Sequence, residues 1–188
     1  MTPVEETMQA LIDIVKQGKA LYVGISKYPP AQAKIAYEML RAAGVPCLIS
    51  QYRYSMFDRT VEEKSLPLAA EQGSGFIAFS PLAQGLLTKK YLHGIPEHSR
   101  AARSTGFLKV DQVTEDKVGK ARRLDEIAAR RGQTLAEMAL AWVLKDERMT
   151  SVIVGTSSVK QLADNLHALD NLNFTNEELA EIEGILRL

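Results

Sequence analysis

Gly75-Phe76-Ile77-Ala78-Phe79-Ser80-Pro81-Leu82-Ala83-Gln84-Gly85-Leu86-Leu87-Thr88-Lys89-Lys90-Tyr91 passes from a short apolar strand into a loop of small residues and then to a lysine pair. The apolar run has the length of a buried strand, and Pro81 removes a backbone donor where the ladder has to stop. Beyond it, Ala83 and Gly85 let the backbone come close to a ligand, and Lys89, Lys90 and Arg100 supply positive charge. Small residues and cations at the carboxyl end of a strand suit a phosphate-bearing ligand in an α/β protein.

Working outward, three more apolar runs of strand length lie at 21–26, 47–52 and 151–155, beside the one at 75–80. Amphipathic helical stretches fill the intervals. Met8, Leu11, Ile12 and Val15 fall at i, i+3, i+4 and i+7 with Gly18 as a C-terminal cap, and Ile35, Ala36, Met39, Leu40 and Ala43 repeat the spacing. Thr60 with Glu63, Thr134 with Glu137, Ser158 with Gln161 and Thr175 with Glu178 match the capping-box pattern and mark helix starts. Near-continuous apolar strands alternating with helices predict a parallel sheet covered by helices, either an open doubly wound sheet or a closed barrel. Between the third and fourth strands the pattern predicts helices over 114–131 and 134–145, preceded by a loop over 86–113. The stretch Ile95-Pro96-Glu97-His98-Ser99-Arg100-Ala101-Ala102-Arg103 in that loop is basic and poor in large apolar residues. Loops this long in a compact domain are usually functional or disordered.

With 188 residues, 46% of them hydrophobic and 24% charged, the chain can bury one core, so a single domain over 1–188 with no second domain is expected. Lys plus Arg equals Asp plus Glu at 23 each. No overall field therefore favours nucleic acid or an anionic membrane, and a small molecule is the expected partner. The single cysteine, Cys47, excludes an internal disulfide and sits in the apolar run 45–49, as a buried thiol in a reducing compartment would. No apolar run reaches the roughly 18 residues that span a bilayer. The amino terminus also lacks the basic and apolar blocks of a signal peptide, so a cytoplasmic location is expected.

Parallel strands gather four features on one rim: Ser26 and Lys27 after the first, Gln51 on the second, residues 79–84 after the third, and Gly155, Thr156, Ser157 and Ser158 after the fourth. Phe79 offers an aromatic face, Gln51 can donate and accept toward an amide, and the hydroxyls of Ser26 and Ser80 can do the same. The fourth segment runs from strand through a Gly-containing turn into a helix start, where backbone N–H groups and the helix dipole favour a phosphate. Each residue also has a plainer role open to it: Gln161 can close a capping box with Ser158, Phe79 can belong to the core, and Lys89 with Lys90 can be a solvated pair. His93, His98 and His167 have no metal-ligand spacing, and no metal site is expected. Glu5-Glu6, Glu62-Glu63 and Glu177-Glu178 are expected in first helical turns, where they complement the dipole. No paired-carboxylate hydrolase and no Gly-x-Ser-x-Gly nucleophile elbow is present.

Taken together, Leu21-Tyr22-Val23-Gly24-Ile25-Ser26, Phe79-Ser80-Pro81-Leu82-Ala83-Gln84-Gly85-Leu86-Leu87-Thr88, Ala141-Trp142-Val143-Leu144, Val154-Gly155-Thr156-Ser157 and Gln161-Leu162-Ala163-Asp164-Asn165 resemble the aldo-keto reductases. Lys89-Lys90-Tyr91 and Gly94-Ile95-Pro96-Glu97-His98-Ser99-Arg100 narrow the likeness to the branch of glyceraldehyde 3-phosphate reductases and potassium-channel β-subunits. The resemblance covers essentially the whole chain. It implies a (β/α)8 barrel of the TIM type, of which this chain supplies the carboxyl-terminal half, strands five to eight with their helices. It further implies NADP(H) as the cofactor and a small-molecule carbonyl compound, such as glyceraldehyde 3-phosphate or methylglyoxal, as the substrate.

On the same resemblance, Ser26, Lys27 and Gln51 would face the nicotinamide and Phe79 would stack on it. Ser80, Pro81, Leu82, Ala83, Gln84 and Gly85 with Lys90 would wrap the pyrophosphate, under Arg100 from the long loop. Gly155, Ser157, Gln161, Asp164 and Asn165 would take the adenosine end, with Gln161 where the family often has Arg. The family's catalytic Tyr, Lys, Asp and His belong to the first half of its barrel, so no catalytic residue is expected within this chain. Tyr28, Tyr52 and Tyr54, with Lys27 nearby, are not expected to substitute, because a proton donor must reach the carbonyl from the far wall. An isolated half barrel would expose two sheet edges and an apolar face. It is therefore expected to want an amino-terminal half or a second copy, and to be inactive by itself. A non-catalytic NADP(H)-binding regulatory or remnant protein is the alternative.

Overall fold

The structure, a computed structural model, describes residues 2–97, 99, 101–102 and 108–188. Each of the four apolar runs forms a strand: β1 (Val23–Ser26), β2 (Cys47–Arg53), β3 (Gly75–Phe79) and β4 (Met149–Ile153). They lie in the order β1-β2-β3-β4, and every neighbouring pair is parallel. Helices α1 (Val4–Lys16), α2 (Pro30–Ala42) and α3 (Ser65–Glu71) alternate with the first three strands. A helical pair, α4 (Glu115–Arg130) and α5 (Leu135–Leu144), precedes β4, and α6 (Val159–Leu166) and α7 (Asn176–Arg187) follow it. This is the parallel β/α arrangement of half of a (β/α)8 barrel.

The two faces of the sheet differ because successive strand residues point to opposite sides. Val23, Ile25, Ser50, Tyr52, Phe76 and Ala78 are buried beneath the helices, and the Tyr52 and Phe76 rings stack with centroids 5.1 Å apart. Gly24, Ser26, Gln51, Arg53, Ile77, Phe79, Ser151 and Ile153 on the other face are half-buried or exposed. Met8 and Ile12 of α1, Leu40 of α2, Leu66 of α3, Leu124 and Ile127 of α4, Met138 and Trp142 of α5, and Ile182 of α7 join one continuous core. A buried polar thread crosses it: Tyr37 Oη lies 2.5 Å from Ser50 Oγ, which lies 3.1 Å from Ser74 Oγ. Pairing these hydroxyls inside the core avoids the 1–3 kcal/mol or so that each unpaired group would cost. Cys47 is a free, buried thiol.

Among the described residues, both outer strands carry an unpaired edge. Beside β1, Leu21 and Tyr22 are 83% and 68% exposed. Beyond β4, α6 buries none of its residues, and Val159, Leu162, Leu166 and Leu169 stand exposed at i, i+3, i+7 and i+10. No helix among the described residues is long and apolar enough to cross a membrane.

Several local expectations need correction. Leu21 and Tyr22 stand outside β1, because its ladder with β2 begins only at Val23. β4 lies two residues earlier than 151–155, since Met149 is already paired with Phe76. Ile35 is 37% exposed, and Ala33, Ala36, Tyr37 and Leu40 form the buried stripe of α2. Thr60 caps no helix: its hydroxyl donates to Asp58, and α3 starts at Ser65. Glu62 serves no helix dipole either, because it accepts from Arg59 and from the Tyr54 hydroxyl. The boxes at Thr134 and Thr175 form reciprocally, whereas Ser158 accepts from the Gln161 N–H while the Gln161 side chain turns to Ser157.

Candidate functional site

A cleft of about 860 Å³ opens where the loops after β3 and β4 face each other at the carboxyl ends of adjacent strands. One wall is the loop 80–85, whose backbone is unusual. Ser80, Ala83 and Gln84 all have positive φ, at 55°, 47° and 62°, a region that side chains other than glycine occupy at a cost of about 1–2 kcal/mol per residue. Three such residues in five positions mark a segment held in a particular shape for a reason other than stability.

Internal hydrogen bonds hold that shape. The Ala83 N–H donates to the Ser80 carbonyl at 2.9 Å, the Gly85 N–H to Leu82 at 2.8 Å, and the Gln84 side-chain amide to Ser80 Oγ at 3.1 Å. Gly85 has φ +102°, and a Cβ there would lie 3.3 Å from Tyr91 Cε2, so the position needs glycine for both backbone and space. Thr88 then donates its hydroxyl to the Gly85 carbonyl at 2.7 Å and accepts from the Lys90 N–H at 3.1 Å, which turns Lys90 toward the cleft.

The facing wall is Ile153, Val154, Gly155, Thr156 and Ser157, continued by Gln161, Asp164 and Asn165 of α6. Gln161 Oε1 accepts from both the Ser157 N–H and the Ser157 hydroxyl, at 2.9 and 3.0 Å, and Asp164 pairs with Lys160 at 3.0 Å. Thr134 and Ala136, at the start of α5, complete the lining. Among the described lining residues Lys90 is the one cation, and the one carboxylate, Asp164, is already paired. The cleft can thus hold an elongated ligand with one anionic segment near the loop and polar groups near α6.

Of the expected cradle, Ser80, Pro81, Leu82, Gln84, Gly85, Lys90, Gly155, Ser157, Gln161, Asp164 and Asn165 come together here. Ala83 is buried behind them, 6% exposed. Ser26, Lys27, Gln51 and Phe79 stand apart on the open face and its rim. Ser26 is opposite Gln51 in the ladder, Phe79 is opposite Arg53, and the Lys27 N–H donates to the Gln51 carbonyl at 3.0 Å. Arg100 lies outside the described residues, as does His98. Thr88, Thr134, Ala136, Ile153 and Val154 line the cleft without having been assigned to it, and Thr156, expected on the rim, lines it too. Thr134 carried a helix-start signal, but nothing in its spacing tied it to Ser80.

The tyrosines near the rim are committed elsewhere. The Tyr52 hydroxyl donates to the Tyr28 carbonyl at 2.8 Å, and burial pushes its pKa up to about 12. Tyr54 donates to Glu62 at 2.8 Å, and burial followed by that carboxylate raises its pKa far above the ordinary phenol value. A second hollow of about 670 Å³ lies between residues 56–63 and the ends of α4 and α7. It holds no expected residue, and several of its charges neutralise one another: Arg59 bonds Glu62 and Glu183, and Lys120 bonds Asp116. Among the described residues no group of three or more His, Cys, Asp or Glu side chains could hold a metal ion.

Comparison with known proteins completes the picture. The model of the family described as "Aldo/keto reductase family" matches residues 1–187. The chain is 48% identical over 186 residues to an L-glyceraldehyde 3-phosphate reductase of Escherichia coli O157:H7, and 47% identical over 186 residues to that of Escherichia coli strain K12. Each match covers 97% of this chain and 54% of the relative, so the chain spans about half the length of the curated relatives it matches.

Proposed function

The chain belongs to the aldo/keto reductase family, and from that premise we propose that it holds the nicotinamide cofactor, NADP(H), of a carbonyl reductase. The observation that carries this reading is the strained loop 80–85 facing α6 across a cleft at the carboxyl ends of β3 and β4. Residues 80–85 and Lys90 would hold the pyrophosphate through the loop's remaining donors and one ammonium. Ser157, Gln161, Asp164 and Asn165 would hold the adenosine end, and Gly155 would let the backbone approach it. Phe79 would lie against the nicotinamide, with Ser26, Lys27 and Gln51 fixing its amide. When bound, the cofactor supplies a hydride to the carbonyl carbon of an aldehyde such as glyceraldehyde 3-phosphate or methylglyoxal.

This chain's residues bind and orient the cofactor, and a proton donor would come from a completing amino-terminal half. Supporting that completion are the two free strand edges, the open sheet face, the exposed stripe on α6 and the half-length match. A second copy of the chain is the other candidate cover. The test is to titrate the purified chain with NADPH and follow fluorescence. It is then assayed with glyceraldehyde 3-phosphate alone and after co-expression with the amino-terminal half of a full-length relative. The expected result is binding by the chain alone and turnover only with the added half. Absence of NADPH binding refutes the reading, and binding with no turnover in either arm makes the protein a nucleotide-binding regulator instead.

A further inference from the structure

We propose that Arg53, assisted by Lys27, is the anion-recognition site for the substrate, and that the substrate is a short aldehyde carrying a phosphate. The inference rests on the cofactor reading above and adds a residue that reading leaves unused. Arg53 is the last residue of β2 and lies two positions beyond Gln51. Because Ser50 and Tyr52 are buried beneath the helices, alternation puts Gln51 and Arg53 together on the open face. Its partner across the ladder is Phe79, the ring proposed to lie against the nicotinamide. The backbone of Arg53 is therefore one strand, about 4.8 Å, from that of Phe79.

Lys27 brings a second positive charge to the same rim. It follows β1 directly, is exposed, and is held at φ 59° with its N–H on the Gln51 carbonyl. One acid faces Arg53: the Asp58 carboxylate lies 3.5 Å from its Nε, while half of the arginine side chain, 51%, stays exposed. A guanidinium has five donors in a planar fork. Asp58 engages the Nε side and leaves the two terminal nitrogens for an oxyanion, which they can grip in bidentate fashion.

The cofactor's own phosphates do not account for this pair. In the reading above they lie along residues 80–85 and Lys90, between β3 and β4, whereas Arg53 and Lys27 close β2 and β1. A molecule with its carbonyl at the nicotinamide and its anion a few bonds away would reach Arg53. Two E. coli relatives carry the name of a reductase of a phosphorylated triose.

The experiment uses the 188-residue chain saturated with NADP+ and titrated by calorimetry with glycerol 3-phosphate, glycerol and inorganic phosphate, before and after Arg53→Gln and Arg53→Lys. The expected result is at least a tenfold weaker affinity for glycerol 3-phosphate in Arg53→Gln and partial recovery in Arg53→Lys. Glycerol binding and NADPH affinity should not change. Parent protein that binds NADPH but ignores glycerol 3-phosphate, or an Arg53→Gln variant that binds it as well as the parent, overturns the proposal while leaving the cofactor reading intact. Loss of NADPH affinity in Arg53→Gln also overturns it, since the cation would then serve the cofactor. Failure of the parent to bind NADPH refutes the cofactor reading itself, and this inference falls with it.

Discussion

Replacing Gly85 by alanine tests whether the loop 80–85 is shaped by its glycine. At φ +102° a side chain is strained by about 1–2 kcal/mol. The new Cβ would also meet Tyr91 Cε2 at 3.3 Å, and that ring is 1% exposed and has no room to retreat, which adds about 1 kcal/mol of overpacking. The smaller conformational freedom of alanine in the unfolded chain offsets about 0.4–1 kcal/mol. The net loss is about 2 kcal/mol, equivalent to about 4–8 °C for a chain of this size. Two controls separate the contributions. Gly18→Ala, at φ +71° with nothing within 4 Å, should lose about 1 kcal/mol from strain alone. Gly119→Ala, inside α4 and free of both problems, should gain about 0.5–1 kcal/mol. Urea denaturation followed by circular dichroism gives the stabilities, and NADPH fluorescence on the same samples gives the affinities. Only Gly85→Ala should weaken NADPH. A Gly85→Ala protein that loses no more stability than Gly18→Ala, with undiminished NADPH binding, would refute the reasoning.

Alkaline unfolding should report on Tyr52. Its phenol keeps its proton up to about 12 in the folded chain against 10.0 in the unfolded one, so its contribution is whole below pH 10 and is lost as pH rises through 12. A shift of this size amounts to about 3 kcal/mol. Urea midpoints at pH 8 and pH 11.5 should fall less in Tyr52→Phe than in the parent, and parallel falls would count against burial as the cause. Arg131→Ala should cost about 3 kcal/mol at neutral pH. That side chain is 3% exposed, pairs with Glu178 at 2.5 Å, donates to the Asn173 carbonyl at 2.9 Å and lies 3.8 Å over the Phe174 ring. A loss under 1 kcal/mol in urea titrations would show that α7 is held by its apolar face instead.

The strands were legible because near-continuous apolar runs have few other uses in a chain this size. Their ends were less so, since a ladder starts where a neighbour is available. Leu21 and Tyr22 have strand chemistry but no partner, and Met149 lacks strand chemistry but lies beside Phe76. Thr60 and Glu63 have the spacing of a helix start, yet Arg59 and Tyr54 claim the adjacent Glu62 and keep 60–64 in turns. In the cleft, 80–85 and 155–165 could be joined in advance because parallel adjacent strands bring their carboxyl ends together. Thr88, Thr134 and Ala136 could not, because their approach depends on how α4 and α5 fold back across the sheet. Arg53 went unremarked because a lone arginine at a strand end carries no motif.

Among the described residues, each strand in this sheet pairs only with those next to it in sequence. As these four strands leave the ribosome, each can therefore add to the edge left by the one before it. The single long interval falls between Phe79 and Met149. Until the α4–α5 hairpin has been synthesised and folded back, a three-stranded intermediate presents β3 with its outer ladder bare. That is the moment in synthesis when a chaperone would be needed most.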